Sequence, residues 1–189
     1  EKFKIPKILY PIQFCSVNGK VQKYSTVYNY IDVLRITNIE IKEKTWTAEF
    51  YLDLVSQSDN PLDQIIFNNL SSTNDKFTSK EIWRRKDDNN YNTVRYYIVA
   101  NFDFLAIADN YPFDWQSVYI SMTLKDNSKH ILQPIPLELV DDDFDINGWY
   151  IENAFSGIKY KKNFLYKDTD LKKTVTVTNE NRLGWTLKR

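Results

Sequence analysis

The residues that most often carry catalysis are scarce in this chain. It has one histidine, His130, and one cysteine, Cys15, far apart in sequence. A nucleophile and its base must sit within hydrogen-bond reach of one another, and nothing in the spacing of these two points to such a pair. A single histidine cannot build a His-rich metal centre. The glycines Gly19, Gly148, Gly157 and Gly184 stand singly, so no phosphate-cradling loop is present. One run has the composition of a hard-cation site: DDDFD places carboxylates at Asp141, Asp142, Asp143 and Asp145, and calcium is held by several such oxygens. A run of like charges is more commonly a solvated loop, and that reading is preferred here. No other cofactor is expected.

Aromatic area is abundant instead. Aromatics make up 15% of the residues, with 13 Tyr, 11 Phe and 5 Trp, and rigid rings with polar tips serve binding better than catalysis. Lys+Arg and Asp+Glu balance at 25 each, which removes any bulk attraction to nucleic acid or to an anionic membrane. A lone cysteine forms no internal disulfide and does not report a compartment. The start EKFKIPKILY has no apolar h-region, so no signal peptide is expected. No run is long enough to cross a membrane as a helix. At 189 residues the chain is read as one domain with a substantial core.

The elements that must position these side chains are strands. Ser25–Ile41 and Trp46–Val55 alternate apolar with polar residues and flank the short turn KEKT, the pattern of a long hairpin of adjacent antiparallel strands. Asp63–Asn69 reads as a short strand. Lys80–Lys86 and Thr93–Ala106 form a second hairpin around DDNNYN, and Gln116–Lys125 follows. KHILQPIPLEL is extended and interrupted by proline, which suits an edge or a loop. Residues 149–162 and 172–181 complete the count. No helix passes the periodicity test. The expected fold is all-β, a twisted immunoglobulin-like β-sandwich of about ten strands.

One loop stands out in that frame. Tyr111-Pro112-Phe113-Asp114-Trp115-Gln116 lies between two long strands past the middle of the chain. It resembles the signature loop of the pentameric ligand-gated ion channels, the Cys-loop receptor superfamily, which carries Phe/Tyr-Pro-Phe-Asp-x-Gln. Two cysteines flank the loop in animal members. Phe104 and Val118 occupy the matching positions here, as in bacterial members, which lack that disulfide; the pair is expected to lie close together as apolar packing. The likeness extends, in order, over roughly residues 25–189. VLRITNIEIKEKTWTAEFYLDL is similar to the first two strands of the family, with Glu43 or Lys44 in their turn. IIFNNL resembles the segment of the first binding loop, INGWYIENAFSGIKYKK the GW-x-I strand of bacterial members, and TVTVTNENRLGWTLKR the last strand.

The resemblance implies an extracellular or periplasmic ligand-binding domain of a bacterial channel-like receptor. It implies a pentamer of identical subunits, joined to the membrane by a segment that follows the domain. A small-molecule ligand is implied between neighbouring subunits, boxed by Tyr51 of the second strand, Phe67 of the first binding loop, Lys125 where the second binding loop usually has an aromatic, and Tyr160, Phe164 and Tyr166 near the C-terminal hairpin. Each of these rings also has a plainer use, covering the sandwich. The coupling residues implied are Tyr111, Pro112, Phe113, Asp114 and Gln116 of the loop, Glu43 and Lys44 of the turn, and Arg182 as the basic partner of Asp114. Two departures bear on that coupling. The second strand ends in LVSQSD instead of a Trp and an Asp, and Glu180 or Asn181 stands where the family's arginine falls, with Arg182 one or two places late. The same domain type on a bacterial signalling enzyme, and a free-standing carbohydrate- or peptide-binding sandwich, are the alternatives.

Overall fold

The computed structural model describes residues 12–17, 20–72, 77–105, 115–127, 129–135, 146, 148–165 and 174–188. Among the described residues ten strands carry the fold: β1 (Ile12–Val17), β2 (Lys20–Glu40), β3 (Thr45–Ser56), β4 (Ile65–Phe67), β5 (Thr78–Lys86), β6 (Asn92–Asp103), β7 (Trp115–Leu124), β8 (His130–Pro134), β9 (Tyr150–Leu165) and β10 (Thr174–Lys188). The first sheet has the order β1-β2-β3-β6-β5, and β8 pairs with β2 in parallel. The second has the order β4-β7-β10-β9 and is antiparallel throughout.

Strict alternation builds the layers. In β3, Trp46, Ala48, Phe50, Leu52 and Leu54 all point inward and have no exposure. In β6, Val94, Ile98, Ala100 and Phe102 do the same. Val118, Ile120 and Met122 of β7, with Trp185 and Leu187 of β10, face them from the second sheet and join one core. Residues of a strand that share a parity share a face, so each β-rich run found in the sequence presents one apolar row to the other sheet. The Trp46 and Trp185 rings meet edge to face across the layers with centroids 6.4 Å apart. Phe104 and Val118 both belong to this core, 4% and 0% exposed.

The expected hairpin of Ser25–Ile41 with Trp46–Val55 is present as β2 and β3, antiparallel from Tyr28↔Val55 to Glu40↔Thr45. Its turn carries Lys44 at φ 57°. Two readings change. The strand expected over Asp63–Asn69 shrinks to Ile65–Phe67, because a 3-10 turn over Pro61–Gln64 precedes it. The fixed φ of Pro61 suits the start of such a turn. The hairpin of β1 with β2 adds to the expected strands: Val17 pairs with Lys20, and the sequence between them, Asn18-Gly19, is of the kind that favours two-residue hairpin turns.

Gly184 sits where β10 passes closest to its neighbours. A Cβ at this position would lie 2.4 Å from the Val118 carbonyl oxygen, 2.6 Å from Tyr119 Cβ and 2.7 Å from Phe155 Cζ. The phenyl ring can move aside, but the carbonyl is part of the β7–β10 ladder and cannot. Gly184→Ala is therefore expected to destabilise the chain by about 1–3 kcal/mol through overpacking. At this size that lowers the melting temperature by roughly 2–4 °C per kcal/mol. A thermal melt followed by circular dichroism checks it.

Candidate functional site

The outward face of the first sheet is not the polar surface that alternation alone would give. Its rows place Tyr30, Asp53, Arg95 and Trp83 side by side across β2, β3, β6 and β5. The next row carries Asp32, Tyr51, Tyr97 and Lys80. Arg95 donates to both carboxylate oxygens of Asp53, from Nε at 2.7 Å and from Nη2 at 2.6 Å. The Asp53 side chain is fully buried and that of Arg95 is 16% exposed. A carboxylate without solvent is tolerated because this two-pronged, charge-assisted pairing meets it. The guanidinium also lies over the rings of Tyr51, at 5.1 Å, and Trp83, at 6.0 Å. Tyr51 and Tyr97 pack with centroids 5.8 Å apart, and the Tyr97 hydroxyl donates to Glu49 at 2.6 Å.

Two tyrosines of this face, Tyr97 and Tyr30, hold their protons above the ordinary tyrosine value. The hydrogen bond to Glu49 is the main cause holding the Tyr97 hydroxyl above its ordinary pKa. Burial raises Tyr30, with Asp32 and Asp53 adding repulsion and Arg95 opposing it. Bonding to Asp53 raises Arg95 further, so this cation persists throughout the accessible pH range. The result is an aromatic surface braced by one buried ion pair, with Tyr51 at its centre.

The other residues expected at a ligand site are placed as follows. Phe67 lies on β4 and packs on Phe50 (6.3 Å), Phe77 (5.8 Å) and Phe102 (5.9 Å). It therefore sits on the inner side of the first sheet, whereas Tyr51 is on the outer side, and one chain does not bring the two together. Lys125 is exposed just past β7, its backbone N–H bonded to the Gln64 carbonyl at 2.8 Å. Tyr160 and Phe164 belong to β9, where Tyr160 pairs with Asn179 and Phe164 with Val175; their side chains, and all of Tyr166, lie outside the described residues. So do Asp141, Asp142, Asp143 and Asp145. Among the described residues no group of His, Cys, Asp and Glu could hold a metal ion, and no helix is long and apolar enough to cross a membrane.

Tyr111, Pro112, Phe113 and Asp114 also lie outside the described residues, but both stems of their loop are in view. On one side the Phe104 N–H donates to the Lys44 carbonyl at 2.9 Å, which ties the end of β6 to the turn containing Glu43 and Lys44. On the other, Trp115 pairs with Lys188 and the buried Gln116 with Leu187. The Lys188 ammonium lies 5.7 Å from the Trp115 ring centroid. Between the two stems, Trp46 and Trp185 bridge the sheets. The β2–β3 turn, the stems of the 106–114 loop and the last residues of β10 thus meet at one end of the sandwich.

Arg182 is not at that end, and Asp114, the partner expected for it, lies outside the described residues. It lies opposite Ser121 in mid-strand, six residues before Lys188, or roughly 20 Å along a strand. Its Nε donates to the buried Glu180 carboxylate at 2.7 Å, and its guanidinium covers Tyr119 at 5.1 Å. Glu180 also accepts from the Ser121 hydroxyl at 2.6 Å. Glu180, two residues earlier on the same strand face, is the carboxylate that Arg182 pairs with. Sequence order put Arg182 near the family position, but the strand's length carries it away.

No protein-family model matches this sequence, and no curated protein matches it.

Two outcomes are expected at this face. Arg95→Met strands the Asp53 carboxylate and should cost about 3–5 kcal/mol. The double variant Asp53→Leu/Arg95→Met should recover most of that loss, because it removes both charges; urea unfolding of the three proteins measures it. Tyr30 and Tyr97 bind their protons more tightly folded than unfolded. Their contribution is complete below the ordinary tyrosine value of about 10 and is lost as pH rises through the higher folded values. Ultraviolet titration should show that Tyr97→Phe removes one of the late-ionising phenols.

Proposed function

We propose that this chain is the ligand-sensing extracellular or periplasmic domain of a pentameric ligand-gated ion channel-like receptor, with the twisted immunoglobulin-like sandwich of that superfamily. The convergence of the β2–β3 turn, the loop stems at Phe104 and Trp115, and the last residues of β10 at one end is the observation that carries it. A sandwich that only binds has no need to gather three segments so distant in sequence. A transducing domain does, since all three must face the module that receives the signal. The aromatic face around Tyr51 supports the same reading, because head-to-tail rings use two different faces of one subunit and a ligand there would be shared with a neighbour. A cationic ligand gains about 0.5–2 kcal/mol from such a ring, opposed by the Arg95 guanidinium already over Tyr51 and, from a neighbouring subunit, by Lys125.

The engagement of Arg182 by Glu180 favours a second reading, a sensor domain of the same type on a signalling enzyme. There the channel's arginine–aspartate pair has no task. The two readings separate when the full gene product is purified in detergent and reconstituted. A channel should be pentameric by native mass spectrometry and pass ligand-evoked current that Tyr51→Ala diminishes at least tenfold in ligand sensitivity, a change of about 1.4 kcal/mol. A sensor should pass none and alter a catalytic output instead. A soluble product with neither activity overturns both. The 189-residue chain by itself should be monomeric or weakly associated at micromolar concentration in light scattering, because the membrane segments help to hold such a ring.

A further inference from the structure

β5 ends the strand order of the first sheet, and all nine of its residues are exposed. Paired residues on neighbouring strands share a face. Thr78 and Lys80 lie opposite Val99 and Tyr97, on the outer face. The register then shifts between Glu81 and Trp83. A bulge of this kind inserts one residue, and the alternation reverses beyond it. Trp83 therefore lies opposite Arg95, and Arg85 opposite Thr93, again on the outer face. Without the shift Trp83 would turn to the other side of the sheet. Both charges that β5 sends outward, Lys80 and Arg85, are basic. Its one acid, Glu81, points the other way and accepts from Arg84 Nε at 3.1 Å and Nη2 at 2.7 Å. Charges of either sign keep an edge strand from pairing further, so that task alone does not call for basic residues on one face with an indole between them.

Arg95 is where this strip meets the aromatic face. Asp53 takes its Nε and Nη2. Its Nη1 has no hydrogen bond among the described residues, and it is not one of their buried unpaired atoms. One prong of a fixed, permanently charged fork thus reaches solvent, beside the rings of Tyr51 and Trp83. The Tyr51 hydroxyl is likewise unbonded and not buried. The acids of this face are placed elsewhere or already engaged. Asp53 holds Arg95, Glu49 accepts from Tyr97 and lies opposite Arg35, and Asp32 lies on the far side of Tyr51 from Lys80.

We propose that the outer face of β5 and β6 binds a sugar acid, a hexuronate either free or as a unit of an acidic glycan. Its carboxylate meets the open prong of Arg95 in a charge-assisted bond, with Lys80 and Arg85 on either side of Trp83 along the strand. Its pyranose ring lays a C–H face on the indole of Trp83, which is 36% exposed. Its hydroxyls reach the Tyr51 hydroxyl and water. An open sheet face suits such a guest, because a sugar has one apolar face to cover and a hydroxyl rim to keep wet. An aryl acid is apolar on both faces and gains most where both are covered. Every group named belongs to one chain, so the site stands whether or not that chain assembles.

The test is a nuclear magnetic resonance titration of the 189-residue chain with D-glucuronate and with the trisaccharide tri-galacturonate. D-glucose, acetate and benzoate are the controls for charge, ring and flatness. The five tryptophans give five indole N–H signals, and Trp83→Phe identifies that of Trp83. Glucuronate should shift this signal saturably, and glucose and acetate should each bind about tenfold more weakly. Tighter binding of the trisaccharide marks a glycan as the source, and equal binding marks the free acid. The double variant Lys80→Gln/Arg85→Gln changes only exposed side chains. Its melting temperature should match the parent's, while its affinity for glucuronate falls about fivefold or more. Asp53→Leu/Arg95→Met removes the open prong without stranding a carboxylate and should abolish the shift. The proposal is overturned if glucuronate does not shift Trp83 saturably, if glucose binds as well, if acetate binds as well (an adventitious ion only), if benzoate binds more tightly, or if Lys80→Gln/Arg85→Gln binds like the parent.

Discussion

The pairing of Asp53 with Arg95 fixes how β3 lies against β6, and much of the sandwich follows from it. A slip of one residue would turn Asp53 into the core and bring Phe50 and Leu52 out to solvent. The first change strands a carboxylate in an apolar layer, and the second exposes two large side chains that are fully buried here. The bidentate bond therefore makes the observed register much the cheapest one. With it set, Trp46, Phe50 and Phe102 line up on the inner face to receive Trp185, and Tyr51 falls opposite Tyr97 on the outer face. Core and candidate binding face are two sides of one alignment.

The long strands were legible because their period is carried by large residues. Trp46-x-Ala48-x-Phe50-x-Leu52-x-Leu54 can only be a half-buried strand, and its partner in β6 repeats the pattern. The short and irregular elements were less so. Ile65–Phe67 is too brief for a period to show, and the 3-10 turn before it is announced only by Pro61. The β1–β2 hairpin has Asn18-Gly19 as its one sequence signal, and the alternation of Ile12–Val17 is weak.

The site was legible in part. Tyr51 could be singled out from its place on the second long strand. Its companions Arg95, Asp53, Glu49 and Tyr97 could not, because they are distributed over two strands more than 40 residues apart and nothing in one strand names its partner in the other. Arg182 illustrates a different limit. Proximity in sequence to an aligned position hid the fact that each step along an extended strand moves about 3.3 Å, so that a shift of a few residues exchanges one end of the domain for its middle.

The parallel pairing of β8 with β2 has a consequence for how the molecule comes together in time. Ser25 and His130 are 105 positions apart, and the strand that joins them is five residues long. A contact that closes so long a loop forms slowly, and so short a strand gives little in return until its neighbours are in place. The seam at β8 is thus expected to close late in folding, once Leu132 can enter the core. Whatever steadies this least local seam of the sandwich therefore steadies the closed form as a whole.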